Sequence, residues 1–312
     1  MRGKGDRAIP VLRYRRYLAR VRVFVLALLS LLFVGCGSAG SDPETSPPAA
    51  ASFPIYKSDV EAAKKTVTAA KETATPRRAA PAARTVAARQ PQRAAASACT
   101  AGSVRAHGDA KRAFAALAAR GAVAYRSPRG GRIASFGSKN ANGFPTVFGV
   151  LARRVDARCR ATWYRVQLPL RPNGVTGWVR ARDVAVLPVT TRIVVDLSER
   201  RVTLYDRGRV VHVARAAIGT SATPTPTGRY YVNQRLVPSN PNGPFGPGAI
   251  GISAFSPVLT GWAQGGPVAI HGTNRPHLIG QAVSNGCIRV RNADLRVLFA
   301  KALAGTPVVV RA

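Results

Sequence analysis

Three apolar segments follow one another closely, RIVVDL at 192–197, RVTLYD at 201–206 and VVHVARAAIG at 210–219, with only the turn-forming SERR and RGR between them. Connections this short leave no room for a crossover helix, so each segment has to turn back and pair antiparallel with the one before it. A β-meander is therefore expected from Thr191 onward, and the chain reads as mainly β. TPTPTGRYYV comes next, where two prolines fix a loop that runs into another strand. NADLRVLFAKALAG is the one clear helix, with Asn292 as its N-cap, Leu295, Leu298, Phe299 and Leu303 along one face, and Gly305 at its end. TPVVVRA closes the chain as a last strand.

The preceding region has a different texture. Between Cys99 and about Pro188, short β-type runs alternate with Gly, Pro and Asn turns, and WYRVQLPLRPNGVTGWVRARDV alternates apolar and polar residues around its PNG turn, flanked by Trp163 and Trp178. GDAKRAFAALAARG within it reads as a short helix. From Gly37 to about Ala98 the chain is Pro, Ala, Thr and Arg without apolar periodicity, the composition of an extended, disordered spacer. The domain boundaries read from these shifts are 1–36, 37–98, 99–188 and 189–312.

The first 36 residues indicate a compartment. The basic RYRRYLARVR leads into VFVLALLSLLFVG and then Cys36, an apolar run shorter than the ~20 residues of a spanning helix but suited to a signal-peptide core. FVGC resembles a bacterial lipobox, which implies a mature protein beginning at a lipidated Cys36, held to the membrane by more than one acyl chain. If Cys36 is lipidated and Cys287 is reserved for chemistry, Cys99 and Cys159 remain as a possible disulfide in an oxidising compartment. Sequence alone leaves open whether those two come close enough.

Net charge is +34, from 47 Lys+Arg against 13 Asp+Glu. Such a balance favours anionic partners, but Arg dominates alongside abundant Ala, Gly and Pro, a pattern of GC-rich coding. No basic helix interleaved with aromatics, zinc-finger spacing or RNA-binding signature is present, so nucleic acid is not an expected partner.

VSNGCIRV, residues 283–290, is the most chemically pointed segment. Gly286 lets the backbone turn sharply before the thiol, and alternation then places Cys287 and Arg289 on one strand face with Ile288 and Val290 on the other. A cysteine nucleophile needs a base and oxyanion donors. Of the four histidines, His271 ends the apolar run GPVAIHGT, 287 − 271 = 16 positions before the thiol, at the end of a buried strand. His212 is expected to face solvent from within a strand, His277 lies in the loop between His271 and Cys287, and His107 belongs to the other domain and is expected to be exposed. No His/Cys/Asp cluster stands at metal-ligand spacing around the thiol, so neither metal nor cofactor is expected.

IHGTNRPHLIGQAVSNGCIRVRN resembles the signature of the YkuD-like L,D-transpeptidase catalytic domain, in which His-Gly is followed, after a loop, by Ser-x-Gly-Cys-Ile-Arg. TPTPTGRYYV resembles that family's upstream proline-rich segment, and the likeness runs over about 191–311. Asn285 stands where many members have a second histidine. Residues 99–188 resemble the small SH3-like domains that accompany bacterial wall enzymes. The fold implied is a β-sandwich catalytic domain with one helix, preceded by a small SH3-like β-barrel and the disordered linker.

The resemblance also implies an activity. Cys287 would attack the meso-diaminopimelate carbonyl of a peptidoglycan tetrapeptide stem, releasing D-alanine, and an amine of a second stem would take the acyl group. His271 would serve as base, oriented by the Gly272 carbonyl; backbone N–H groups around Gly286 and Cys287 would form the oxyanion hole, and Ser284 would shape the loop. Arg289, with Thr273 and Asn285, would meet the stem, a guanidinium fork being suited to carboxylates. Expected partners are stem peptides and the membrane, through the lipid anchor on the outer face of the cytoplasmic membrane, or the wall if the protein is secreted. Two other readings are an L,D-carboxypeptidase, with water as acceptor, and a non-catalytic wall-binding lipoprotein.

Overall fold

The computed structural model describes residues 99–312; the leader with Cys36 and the spacer at 37–98 lie outside the described residues. Strands β1 (Val104–Ala106), β2 (Ala113–Leu117), β3 (Ala122–Ser127), β4 (Gly130–Phe136), β5 (Val147–Val155), β6 (Ala161–Gln167), β7 (Thr176–Arg180) and β8 (Ala185–Val189) form one sheet. Its order is β4-β3-β7-β6-β5-β2-β8, with β1 attached to β5. Alternation drives the pairing: Ala124, Phe148, Val150, Val166 and Val179 turn inward and form its core. Cys99 and Cys159 are joined, their Cα atoms 5.1 Å apart, tying the start of this lobe to the β5–β6 turn.

The expected helix in GDAKRAFAALAARG is instead strand β2, paired with β5 on one side and β8 on the other. Alanine favours a helix only where packing does not decide. Here Ala115 and Ala116 are buried in the ladder, and their small side chains suit close approach. His107 also departs from expectation, since it is half-buried and stacked on Phe114 with ring centroids 4.0 Å apart.

Strands β9 (Thr191–Asp196), β10 (Arg201–Asp206), β11 (Arg209–Gly219), β12 (Gly228–Leu236), β13 (Ala249–Phe255), β14 (Pro267–His271), β15 (Ala282–Ser284), β16 (Ile288–Val290) and β17 (Pro307–Arg311) make the second sheet. They follow the order β10-β9-β17-β12-β13-β14-β16-β11-β15, and a further β10–β11 pairing closes the path on itself. The meander is β9 to β11. The closed sheet wraps a core that includes Ile193, Leu204, Ile250, Ile270 and Ile288, each fully buried. A side chain so enclosed contributes roughly 1.5–3 kcal/mol. Helix α1 (Asn292–Lys301), the one α-helix among the described residues, adds Leu295 and Leu298 to that core.

Three details differ from the sequence reading. Arg291, not Asn292, occupies the N-cap, and it makes no side-chain capping bond; Asn292 is the first helical residue and bonds elsewhere. Leu303 and Gly305 fall beyond the helix, Leu303 exposed and Gly305 at φ +89° in a turn packed on Ala115 of the first sheet. His212 faces helix α1, where its Nε2 lies 2.9 Å from Asp294 Oδ1, while Val210, Val211 and Val213 are exposed. The register of Arg201 to Leu204 against Arg215 to His212 is unbroken, so plain alternation puts His212 on the inward face with Ala214 and Ala216 and turns Val211 and Val213 outward; the bulge at Val211 comes only beyond His212, where Tyr205 pairs with Val210.

The two sheets meet directly. Phe144 packs with Leu236 and Ala249, Ala304 packs against the cluster of Ala115, Leu117, Val147 and Val189, and Gln167 Nε2 donates to Arg229 O at 2.8 Å.

Candidate active site

Parallel pairing of β14 with β16 builds the site. Ile270 pairs with Ile288 and His271 with Arg289, so Cys287, one residue before β16, stands level with Ala269. Partners in register point the same way from a sheet. Cys287, Arg289, His271 and Ala269 therefore share one face, while Ile270, Ile288 and Val290 fill the core on the other. Ala217 of β11 pairs with Arg289 from the far side.

His271 is 4% exposed. Its Nδ1 lies 2.6 Å from Gly272 O, a carbonyl that can only accept, so Nδ1 carries the proton and Nε2 holds the free lone pair. Burial pushes the imidazole down to about 4, the Gly272 bond opposes this, and the Arg289 charge adds to it. The thiol of Cys287 is pushed up by burial, against the Ala269 N–H and the Arg289 charge, although the residue keeps part of its surface open. Both groups thus rest neutral near pH 7.

The loop before the thiol is held from several sides. Ser284, buried, donates its Oγ–H to Cys287 O at 2.6 Å and accepts the Gly286 N–H at 3.2 Å. Gly286 turns with φ +104°, a conformation that disfavours any side chain. The proline-rich loop lies against it: Thr223 Oγ1 donates to Ser284 O at 2.9 Å, and the Thr220 N–H donates to the same carbonyl at 3.1 Å. Since the Gly286 N–H is engaged by Ser284, it is not available as an oxyanion donor in this arrangement. This departs from the sequence expectation.

Thr273 is also placed differently. It is buried, its N–H donates to Asn292 Oδ1 at 2.8 Å and its Oγ1 accepts from the Arg275 N–H at 2.9 Å, so it shapes the loop after His271 rather than facing a substrate. Asn285 and His277 are exposed, and Arg289 is half-buried with its Nε enclosed and without a hydrogen-bond partner. Two residues join the site that the sequence did not assign to it, Asn292 having been expected only as a helix cap. The ring of Phe245 lies 4.8 Å from the His271 ring, inclined by 57°, and Asn292 reaches back from α1. Phe245 is the one aromatic in the Gly/Pro-rich NPNGPFGPG, a signal that could have marked it. Among the described residues no group of three His, Cys, Asp or Glu side chains could hold a metal ion.

A model of the YkuD L,D-transpeptidase catalytic domain matches residues 190–310. A relative from Bacillus licheniformis that carries the name L,D-transpeptidase YkuD is 38% identical over 148 residues, which is 45% of this chain and 82% of the relative. The chain belongs to the YkuD L,D-transpeptidase family. An Escherichia coli relative named as an ErfK/SrfK L,D-transpeptidase is 33% identical over 152 residues, 39% of this chain and 45% of its own length. Among solved structures, the catalytic domain of an Enterococcus faecium L,D-transpeptidase is 25% identical, covering 39% of this chain and 96% of that one, with a TM-score of 0.29. In YkuD terms, the matched segment holds β14, β16, the thiol loop and helix α1, and leaves the first sheet outside.

Proposed function

We propose that this chain is a peptidoglycan L,D-transpeptidase with Cys287 as nucleophile and His271 as its base. One observation carries the reading: a thiol, an imidazole and a guanidinium share one face of two adjoining parallel strands, with the imidazole's Nε2 left free by the Nδ1 bond to Gly272. As Sγ attacks the meso-diaminopimelate carbonyl of a donor tetrapeptide stem, its proton passes to Nε2. The tetrahedral oxyanion falls to the Cys287 N–H, with Ser284 and Gly286 holding the turn. Collapse breaks the C–N bond, His271 returns the proton to the leaving amine, and D-alanine departs from a thioester. The side-chain amine of a second stem attacks that thioester, giving the cross-link and restoring the thiol. Arg289, half-buried on the same face as the thiol, receives a stem carboxylate through its guanidinium fork.

In this reading residues 99–188 are an SH3-like ancillary domain. The leader delivers a lipoprotein anchored at Cys36 to the outer face of the cytoplasmic membrane, and the spacer at 37–98 gives it reach. Mass spectrometry of muropeptides incubated with the protein tests the activity. Cross-linked stems support transpeptidation, stems shortened by D-alanine alone support the carboxypeptidase reading, and unchanged stems remove both. Palmitate incorporation lost in Cys36→Ala tests the anchor.

A further inference from the structure

We propose that the first lobe acts on the reaction by holding the loop at 256–266 beside the thiol, with Arg171 and Asn173 as positioning residues; the effect on turnover rests on the function proposed above. The loop joins β13 to β14, and its place follows from the register. Strands β14 and β16 run parallel, so they enter the sheet from the same edge. The loop delivers the chain into β14 at Pro267, and Cys287 is level with Ala269, two residues or about 7 Å further along. The 256–266 loop and the thiol loop are therefore neighbours on one edge of the sheet.

The loop's base is closed within its own lobe by the Ser256 N–H donating to Gly266 O at 2.8 Å. The further grip comes from the other lobe. Arg171, between β6 and β7, donates from Nη2 to Ser256 O at 2.7 Å and to Gly265 O, spanning both ends of the loop, and its guanidinium lies over the Phe255 ring at 5.4 Å. Asn173 bonds Phe255 twice, donating to its carbonyl at 2.8 Å and accepting its N–H at 2.9 Å. A second contact holds the far side: Asn142 and Gln264 exchange amide bonds at 2.7 and 3.3 Å, with Gln264 at φ +57°. Two separate loops of the first lobe thus grip a segment whose Pro257, Val258 and Thr260 are otherwise exposed. Other interlobe bonds fall on Arg229 and on Gln234, to which Asn140 and Asn142 both donate, but those of Arg171, Asn173 and Gln264 gather at the two ends of one loop near the nucleophile.

The test uses the full chain with Arg171→Ala, Arg171→Lys, Asn173→Ala and Gln264→Ala. Gln264 is exposed on the loop itself, so its variant removes a grip without touching the core. Three readouts are taken: amide hydrogen exchange, iodoacetamide alkylation of Cys287, and KM against kcat for D-alanine release from tetrapeptide stems. The clamp requires faster exchange confined to 256–266 and alkylation altered several-fold. It also requires KM raised roughly tenfold in Arg171→Ala, the scale set by losing two or three hydrogen bonds, with a smaller change in kcat and partial rescue by lysine. Unchanged exchange and alkylation in all four variants overturn it, as does a uniform loss that tracks the unfolded fraction. If the native chain turns over no stem, the transpeptidase reading fails by itself, and exchange and alkylation still decide the clamp.

Discussion

Asn292, at the first position of helix α1, accepts the backbone N–H of Thr273 at 2.8 Å and so fastens the loop after the imidazole to the helix after the thiol. A side chain at Gly246 or Gly272 would collide with that same oxygen, which shows how closely the loops gather around it. Removing it in Asn292→Ala strands a half-buried N–H, at a cost of about 1–3 kcal/mol. Denaturant unfolding should show that loss, with turnover falling further than stability because Gly272 also orients His271. Asn292→Asp keeps an acceptor and should recover most of the stability. Equal stability in Asn292→Ala and the native chain would dismiss this role.

Cys287→Ala should end D-alanine release while leaving the melting temperature close to the native value, because the thiol is the reacting atom and the Ser284 bonds to the loop use only backbone of 286 and 287. Cys287→Ser should also be inactive, since a serine hydroxyl is far harder to deprotonate than a thiol. Release of D-alanine by either variant would show that another group attacks.

The neutral resting pair has a pH signature. Burial holds His271 down to about 4 and raises the Cys287 thiol, so the acid limb of kcat/KM should fall near pH 4 and the alkaline limb above the ordinary thiol range. Stability follows the same shift. The unfolded chain protonates this histidine near 6.5 and the folded chain only near 4, so between those values the unfolded state binds more protons and stability drops as pH falls. Above 6.5 this group adds no slope. An acid limb near 6.5, or a His271→Asn variant whose stability keeps the same pH slope, would contradict the assignment.

Cys99 and Cys159 enclose a long loop, their positions being 60 apart in sequence. By the chain-entropy relation a bridge of that span is worth about 4 kcal/mol. Cys99→Ala with Cys159→Ala, or reduction of the native protein, should lower the unfolding midpoint of the first lobe by a corresponding amount. D-alanine release at low temperature should be retained. No change in the midpoint would place the stability of this lobe in its core alone.

The sequence is legible where one physical rule acts alone. Short turns dictate β9 to β11, and period two places Cys287 with Arg289. It misleads where tertiary packing competes: Ala115 and Ala116 have helical preference but are drawn into a buried ladder, and β11 turns its valines outward while His212, on the inward face with Ala214 and Ala216, meets Asp294. Asn292 carries the signature of an N-cap, yet its oxygen is taken by Thr273, which no local pattern reveals. The grip of Asn173 on Phe255 joins positions 82 apart, a distance over which spacing carries no information.

Arg289 offers the sharpest division between binding and packing. It lies in register with His271 on one side and Ala217 on the other, half-buried, and its Nε is enclosed without a partner. A carboxylate of the stem matches the fork that the half-buried guanidinium presents. Arg289→Ala should lower kcat/KM for stems with free carboxylates by roughly 10- to 100-fold, the equivalent of losing one charge-assisted contact. Arg289→Lys keeps the charge without the fork and should fall between. Iodoacetamide carries no carboxylate, so its rate with Cys287 should change much less, and only through the charge that Arg289 places near the thiol. If Arg289 serves packing alone, Arg289→Ala will lower thermal stability and slow stems and iodoacetamide by the same factor. That parallel loss would remove it from the binding site.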